Sequence, residues 1–379
     1  MLRILRGVVF LLVIVLATAA GCLLLTPSVC TLWIHSKRWI RWRQLYMAMI
    51  SQQYYQFISL IYCYISQTKL KVYSNQELKP TSNIFLICNH RTRIDWIFAG
   101  WIYTSMIEIS GEVKYVLKES LRSIPLFGWC MQILLYIFLT RKRMEDIPHL
   151  QTCILYLLNS NPKTSIFLFP EGTDLSESTK KRSHQYAREK GLPCYQYVLH
   201  PKPTGFITCV EILQKLSTPV LVHDITLAYD DFFPGMRSSE KSILCGTFPR
   251  EVNLFIEQVP LPSNTDPLAL DEWLRKSFSR KESLLKAYYE QGYRPSSSDT
   301  NWKLVYTERD FLQKYSLFSV LPWILCLVLF FRFFEWFRWV CITMIIVYVG
   351  GTGFSGLDLI ELTLHGNMVL REGKIQREL

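Results

Sequence analysis

The sequence has no Cys-x-x-Cys pair, no Asn-x-Ser/Thr sequon, no serine or cysteine in a recognisable nucleophile elbow, and no signature of a nucleic-acid-binding fold. Each absence removes a class of function. The eleven cysteines are odd in number, and Cys22, Cys63, Cys88, Cys326 and Cys341 sit in apolar runs. They read as small buried hydrophobes, not as a disulfide framework or a zinc site. Without a sequon nothing marks the chain as lumenal. Without an elbow, covalent catalysis has no evident nucleophile. Without a nucleic-acid signature, the net charge of +11 points to anionic lipid or an acidic cofactor. No internal repeat occurs.

Apolar and aromatic residues are abundant. Half of the 379 residues are hydrophobic and 14% are aromatic, which suits a membrane interface. Val8 to Leu25 is an uncharged apolar run, close to the roughly 20 residues that span a bilayer. Ala17-Thr18-Ala19 offers the pattern of a cleavable signal peptide, but the run continues past it, so an uncleaved anchor is favoured. Lys37, Arg38, Arg41 and Arg43 outnumber Arg3 and Arg6, which places the C-terminal side of this helix, and so the domain that follows, in the cytosol by the positive-inside rule. From Trp33 to Tyr64, Leu45, Met49, Tyr54, Phe57, Ile61 and Tyr64 recur at broadly helical spacing, as in an interfacial or a core helix. Near the other end, Ser316–Phe331 and Trp339–Phe354 are short apolar runs that read as a membrane hairpin, with Arg332, Glu335 and Arg338 between them able to pair.

Between these ends, strand-like runs alternate with helical stretches: Ile84–Cys88, Tyr115–Leu117, Tyr136–Leu139, Ser165–Phe169, Val220–Leu227 and Thr247–Val259, with a helix around Gln151–Leu158. The alternation predicts an α/β architecture, a mixed sheet flanked by helices. Asp266-Pro267 opens a helix running to about Glu290, and Lys69–Ser82 reads as a polar connection. Three segments follow: an N-terminal membrane anchor and interfacial helix (1–66), a catalytic domain (67–301), and a C-terminal membrane hairpin and tail (302–379).

The strand Ile84–Cys88 runs into Asn89-His90-Arg91-Thr92-Arg93-Ile94-Asp95-Trp96, and a helix follows. A turn between His90 and Asp95 lets imidazole and carboxylate meet, the arrangement of a general base and its orienting partner. Taken by itself the octapeptide is better read as a polar turn with Asp95 capping the helix. A second polar motif, Phe169-Pro170-Glu171-Gly172-Thr173, also ends a strand-like run and shifts the balance. Two such motifs suggest one site at a sheet edge.

Asn-His-x4-Asp followed some 80 residues later by Phe-Pro-Glu-Gly-Thr resembles the glycerophospholipid acyltransferases, over about residues 84 to 290. The stretches Tyr136-Ile137-Phe138-Leu139-Thr140-Arg141-Lys142 and His200-Pro201-Lys202-Pro203-Thr204-Gly205-Phe206 are similar to that family's lysocardiolipin acyltransferase branch. The resemblance implies a membrane-bound enzyme transferring an acyl chain from acyl-CoA, a co-substrate rather than a resident cofactor, to a lysophospholipid hydroxyl. It identifies His90 and Asp95 as the candidate catalytic pair. It implies that Arg141 binds the acceptor phosphate, and it adds Glu171, Gly172, Thr173 and Asp174 to the substrate site. A carboxylate repels phosphate, so Glu171 is expected to orient Arg141 or an acceptor hydroxyl. Lys180, Lys181 and Arg182, on a basic helical stretch just after the second motif, are expected to meet coenzyme A phosphates or simply to form a solvated face. Thr218 to Thr226 occupies the place of a fourth family motif, but His223 and Asp224 depart from its pattern and take no catalytic role. The expected partners are the two substrates and the bilayer, with no metal and no nucleic acid. The endoplasmic reticulum is the expected location, with mitochondria-associated membrane as the alternative. Three other functions stay open: a lysophosphatidate acyltransferase, a CoA-independent transacylase, and a non-catalytic membrane scaffold of the same fold. Many relatives carry a basic residue where this chain has Asp174, which is expected to favour phosphodiester lysolipids over the phosphate monoester.

Overall fold

The computed structural model describes residues 2–78, 84–105, 113–161, 164–215, 221–230, 239–295, 299, 301–315, 325, 328–329, 331–354 and 356–366. The chain divides into two compact units, each assembled from three stretches. The first comprises Met1–Phe10, Tyr62–Ile102 and Ser165–Lys314, and the second Leu11–Ile61, Tyr103–Thr164 and Tyr315–Leu379. The stretch 67–301 thus contributes to both.

The described strands are β1 (Lys69–Ser74), β2 (Ile84–Cys88), β3 (Val113–Lys118), β4 (Ile137–Leu139), β5 (Ser165–Leu168), β6 (Leu221–Asp230), β7 (Glu251–Val259) and β8 (Lys303–Thr307). The helices that matter below are α1 (Leu2–Cys30), α2 (Lys37–Ser66), α3 (Asp95–Ser105), α4 (Phe127–Ile133), α5 (Arg143–Ser160), α6 (Glu177–Glu189), α7 (Pro203–Lys215), α8 (Glu240–Leu244) and α9 (Pro267–Glu290). The fold is mixed α/β. In the first unit the strands lie in the order β5-β2-β6-β7-β1-β8. β2 pairs in parallel with both β5 and β6. β7 is antiparallel to β6 and parallel to β1, and β8 is antiparallel to β1. In the second unit β3 and β4 pair in parallel.

All of β2 is buried, which is why Ile-Phe-Leu-Ile-Cys shows no polar alternation. β6 is buried from Val222 through Tyr229 although it carries His223, Asp224 and Thr226. Buried polar groups must be matched. His223 Nε2 meets Gln258 Nε2 at 3.0 Å, while Asp224 is paired with the buried Lys281 ammonium and the Ser277 hydroxyl of α9. These partners make the pair structural. α9 begins as its sequence dictates: the Asp266 carboxylate accepts the Ala269 amide at 2.7 Å, with Pro267 in the first turn.

Three expectations change. Lys69–Ser82 is not merely a polar connection, because its first half is β1, with Leu70 and Val72 buried. The lysines conceal a period of two; Lys71 points outward and pairs with Glu251 at 2.7 Å. The sheet also does not stop at Asn301, since β8 follows immediately and pairs with β1. The third change concerns α2. Phe57 is buried as expected, but Leu45, Met49 and Tyr64 are exposed, and Ile40, Met47, Ile50 and Ile58 form the inward face instead. Trp42, Leu45 and Met49, three and four residues apart, leave an apolar outer face.

Two helices among the described residues, Leu2–Cys30 and Glu335–Gly353, are long and apolar enough to cross a membrane. Phe10 is wholly buried in the first unit, edge-on to Tyr62 and Phe248. Most of Ser316–Phe331, the first arm of the expected hairpin, lies outside the described residues. Arg338 does not turn to Glu335 but donates to the carbonyls of Phe331 and Arg332 at 3.1 and 2.9 Å. The second unit is tied internally by the buried Arg43–Glu361 ion pair, on which the Tyr156 hydroxyl also donates at 2.7 Å, and by Arg122–Asp358 at 3.0 Å.

Candidate active site

The carboxyl end of β2 is extended by a side chain. Asn89 accepts the Leu227 amide at 2.7 Å and donates to the Leu227 carbonyl at 3.1 Å. Its buried carboxamide acts as one more peptide unit in the β2–β6 ladder. The backbone is then free to turn, and His90 leaves the sheet edge.

Asp95 opens α3, where the helix N-terminus favours its charge. It is fully buried, and four groups converge on its two oxygens. Oδ2 accepts the Thr92 amide at 3.0 Å and lies 2.9 Å from His90 Nδ1. Oδ1 accepts the Thr92 hydroxyl at 3.0 Å and the Tyr229 hydroxyl at 2.5 Å. A carboxylate is the one side chain that accepts at every one of these contacts. His90 Nδ1 therefore acts as the donor in its contact with Oδ2. The ring stacks on Phe169 at 4.2 Å between centroids, and the side chain keeps 21% exposure.

The second motif holds the first from below. Glu171 is buried; its Oε1 accepts the His90 amide at 2.8 Å and its Oε2 accepts the Leu199 amide at 3.0 Å. Burial pushes this carboxyl up to about 8, even with the two amide bonds acting to lower it. Each oxygen accepts one backbone N–H, and these contacts favour the ionised form against the burial that opposes it. Both oxygens meet backbone amides, so Glu171 ties the His90 turn to the chain at Leu199, a role its motif did not announce. Gly172 follows with φ +70°, a left-handed conformation that favours glycine. Its amide closes the turn on the Phe169 carbonyl at 2.9 Å, and the Leu175 amide donates to the His90 carbonyl at 2.8 Å.

Thr173 and Asp174 lie in the same connection, both half-buried. An Asp174 carboxylate oxygen is 4.0 Å from Nε of the exposed Arg93. Lys180, Lys181 and Arg182 lie on α6, which Ser176 caps by accepting the Thr179 amide. Lys181 and Arg182 are exposed and Lys180 is half-buried. The first unit therefore brings together His90, Asp95 and Glu171, with Asp174 on the adjoining loop. Arg141 belongs to the second unit, exposed just past β4. Its φ is +70°, a left-handed conformation uncommon for residues other than glycine.

Sequence reasoning missed Tyr229, Phe169 as a stacking platform, and Asn89 as a ladder extension. Asn89 and Phe169 sit inside the motifs and could have been found there. Tyr229 lies far along the chain, and only the parallel pairing of β2 with β6 brings it to Asp95.

Comparison with known proteins places these features in context. A family model described as Acyltransferase matches residues 69–223. The chain is 35% identical over 301 residues to Lysocardiolipin acyltransferase 1 of Gallus gallus, covering 76% of each protein. It is 30% identical over 325 residues to a probable 1-acyl-sn-glycerol-3-phosphate acyltransferase of Arabidopsis thaliana, covering 85% of this chain and 81% of that one. Over 229 residues it is 32% identical to a lysophosphatidylinositol acyltransferase of Caenorhabditis elegans, covering 58% of this chain and 56% of that one.

Proposed function

The chain belongs to the acyltransferase family, and from that premise we propose that this glycerolipid acyltransferase is membrane-bound, takes its acyl chain from acyl-CoA, and uses His90 as general base. The observation carrying this reading is the 2.9 Å contact between His90 Nδ1 and the buried Asp95 carboxylate, with the rest of the ring partly open to solvent. Nε2 removes the proton from the acceptor hydroxyl as the oxygen attacks the thioester carbonyl. Asp95 stabilises the imidazolium that forms. The tetrahedral intermediate collapses with cleavage of the C–S bond, coenzyme A leaves as the thiolate, and the imidazolium returns its proton. A thiolate is a good enough leaving group to need little acid assistance. Lys180, Lys181 and Arg182 supply cations for the coenzyme phosphates, and the apolar helices hold the enzyme at the membrane of the endoplasmic reticulum, catalytic residues toward the cytosol.

The relatives' names span three headgroups, and Asp174 favours the phosphodiester ones, lysocardiolipin or lysophosphatidylinositol. Lysophosphatidate carries a monoester close to doubly charged at neutral pH if its second pKa is about 6, as for phosphorylated side chains. Arg93, with a largely exposed guanidinium 4.0 Å away, contributes little to offsetting the Asp174 charge. The test is transfer from oleoyl-CoA by purified protein to a panel of lysophospholipids. Diester acceptors are expected to give the higher kcat/KM. In Asp174→Arg the ratio is expected to shift toward lysophosphatidate, whereas an unchanged ratio with both rates intact would remove Asp174 from headgroup selection. No transfer to any member would refute the enzyme reading in favour of a scaffold.

Arg141 serves as the acceptor-phosphate ligand, because a guanidinium matches a phosphate bidentately and an ammonium does not. Arg141→Lys is expected to raise KM for the lysolipid about tenfold and leave KM for acyl-CoA unchanged, an effect of one lost charge-assisted bond. A rise confined to acyl-CoA would move Arg141 to the coenzyme site.

A further inference from the structure

Four consecutive backbone amides, those of Gln196, Tyr197, Val198 and Leu199, all donate to carboxylates. The first three meet Glu282 of α9, at 2.6 Å to Oε1 and at 2.9 and 3.1 Å to Oε2. The fourth meets Glu171 at 3.0 Å, and the other Glu171 oxygen holds the His90 amide at 2.8 Å. Two carboxylates and one short stretch of chain thus connect α9 to the backbone of the base. α9 is itself fixed, since Lys281, next to Glu282, is buried against Asp224 and the Ile225 carbonyl of β6.

We propose that Glu282 is a positioning residue for His90, acting through the 196–199 backbone and Glu171. This rests on the reading of His90 as general base. With its acceptor removed, the 196–198 stretch has no reason to keep its conformation, and the Leu199 amide no longer presents itself to Glu171. A buried carboxylate that has lost one of two donors then pulls on the other, the His90 amide. Displacing a base by about 1 Å costs on the order of 10²-fold in rate. Neither substrate touches Glu282 in this scheme, so binding is spared.

The test is steady-state kinetics of the full-length enzyme in detergent micelles, with oleoyl-CoA and lysophosphatidylinositol varied separately. Glu282→Gln is nearly isosteric, yet its amide nitrogen faces N–H donors. It is expected to lower kcat about 10–100-fold, with both KM values within about threefold. Glu290→Gln is the control. Glu290 accepts the Tyr197 hydroxyl at 3.0 Å and so touches the same stretch by a side chain rather than the backbone. Its kcat is expected to stay within about twofold of wild type. Combining Glu171→Gln with Glu282→Gln closes a double-mutant cycle. If the effect runs through Glu171, the double variant falls little below Glu171→Gln alone; losses that multiply would overturn the proposal. Wild-type kcat in Glu282→Gln would overturn it too, as would an equal loss in Glu290→Gln. Should Glu282→Gln accumulate poorly, Glu282→Asp keeps both oxygens but sets them back by one methylene. It is expected to show the same loss in kcat at unchanged KM, and wild-type kcat there refutes the idea. His90→Ala in the same assay separates the two levels. Activity surviving in it overturns the functional reading and this inference together, while activity lost there but normal in Glu282→Gln overturns this inference alone.

Discussion

His90→Ala is expected to lower kcat for acyl transfer about 10²–10⁴-fold, the usual worth of a general base. The hydroxyl of a lysolipid is a poor nucleophile until its proton is taken. Two contacts of the His90 ring fit that removal: Asp95 holds Nδ1, and Phe169 supports one ring face. The ring is not part of the packed interior, since its side chain keeps 21% exposure. The variant should therefore fold, with an unfolding midpoint within a few degrees of wild type and unchanged extraction from membranes by detergent. KM for both substrates should move little, because a group that acts in the transition state contributes little to ground-state binding. A purified variant with kcat within tenfold of wild type would end the case for His90 as base.

The second large effect belongs to Asp95→Asn, a change of one atom type in a fully buried site. The asparagine oxygen can remain at the Oδ2 position, where the Thr92 amide and His90 Nδ1–H need an acceptor. Its nitrogen then faces the Thr92 and Tyr229 hydroxyls, which can rotate to accept. The hydrogen bonds survive in that arrangement, but the negative charge does not, and the imidazolium of the transition state loses its stabilisation. In the reverse arrangement the nitrogen faces Nδ1 and forces the proton onto Nε2, where the base should be free. Either outcome lowers kcat, and by analogy with the aspartate of a hydrolase triad the loss is expected at about 10²–10⁴-fold. Tyr229→Phe separates charge from hydrogen bonding. It removes one donor to Asp95 and keeps the charge, so its kcat should lie far closer to wild type. Equal losses in the two variants would assign Asp95 a structural role only.

Local motifs were readable because their parts are adjacent in sequence. His90, Asp95 and the turn between them lie within one octapeptide, and α3 begins at that aspartate. The helix after Asp266-Pro267 was readable to its first residue, since cap and proline act within one turn. Non-local choices were not readable. Tyr229 reaches Asp95 only because β6 pairs with β2, and nothing near Tyr229 in sequence announces it. Glu171 stands out at the centre of its motif, but its bonds to the His90 and Leu199 amides depend on a stretch of chain with no motif of its own. β1 was hidden because its outward positions are lysines, and β8 because it follows a serine-rich stretch that reads as a domain end.

The anchoring of His90 has a thermodynamic side. Its N–H is held by Glu171, its carbonyl by Leu175, its Nδ1 by Asp95, and its ring face by Phe169. Four constraints from four residues leave the imidazole almost no conformational freedom to surrender when substrates arrive. The entropy of ordering the base is thus met during folding, not during turnover. In the proposed mechanism the activation entropy of acyl transfer then reflects the alignment of two mobile lipidic substrates with each other, and the binding energy of headgroup and coenzyme is left for that alignment.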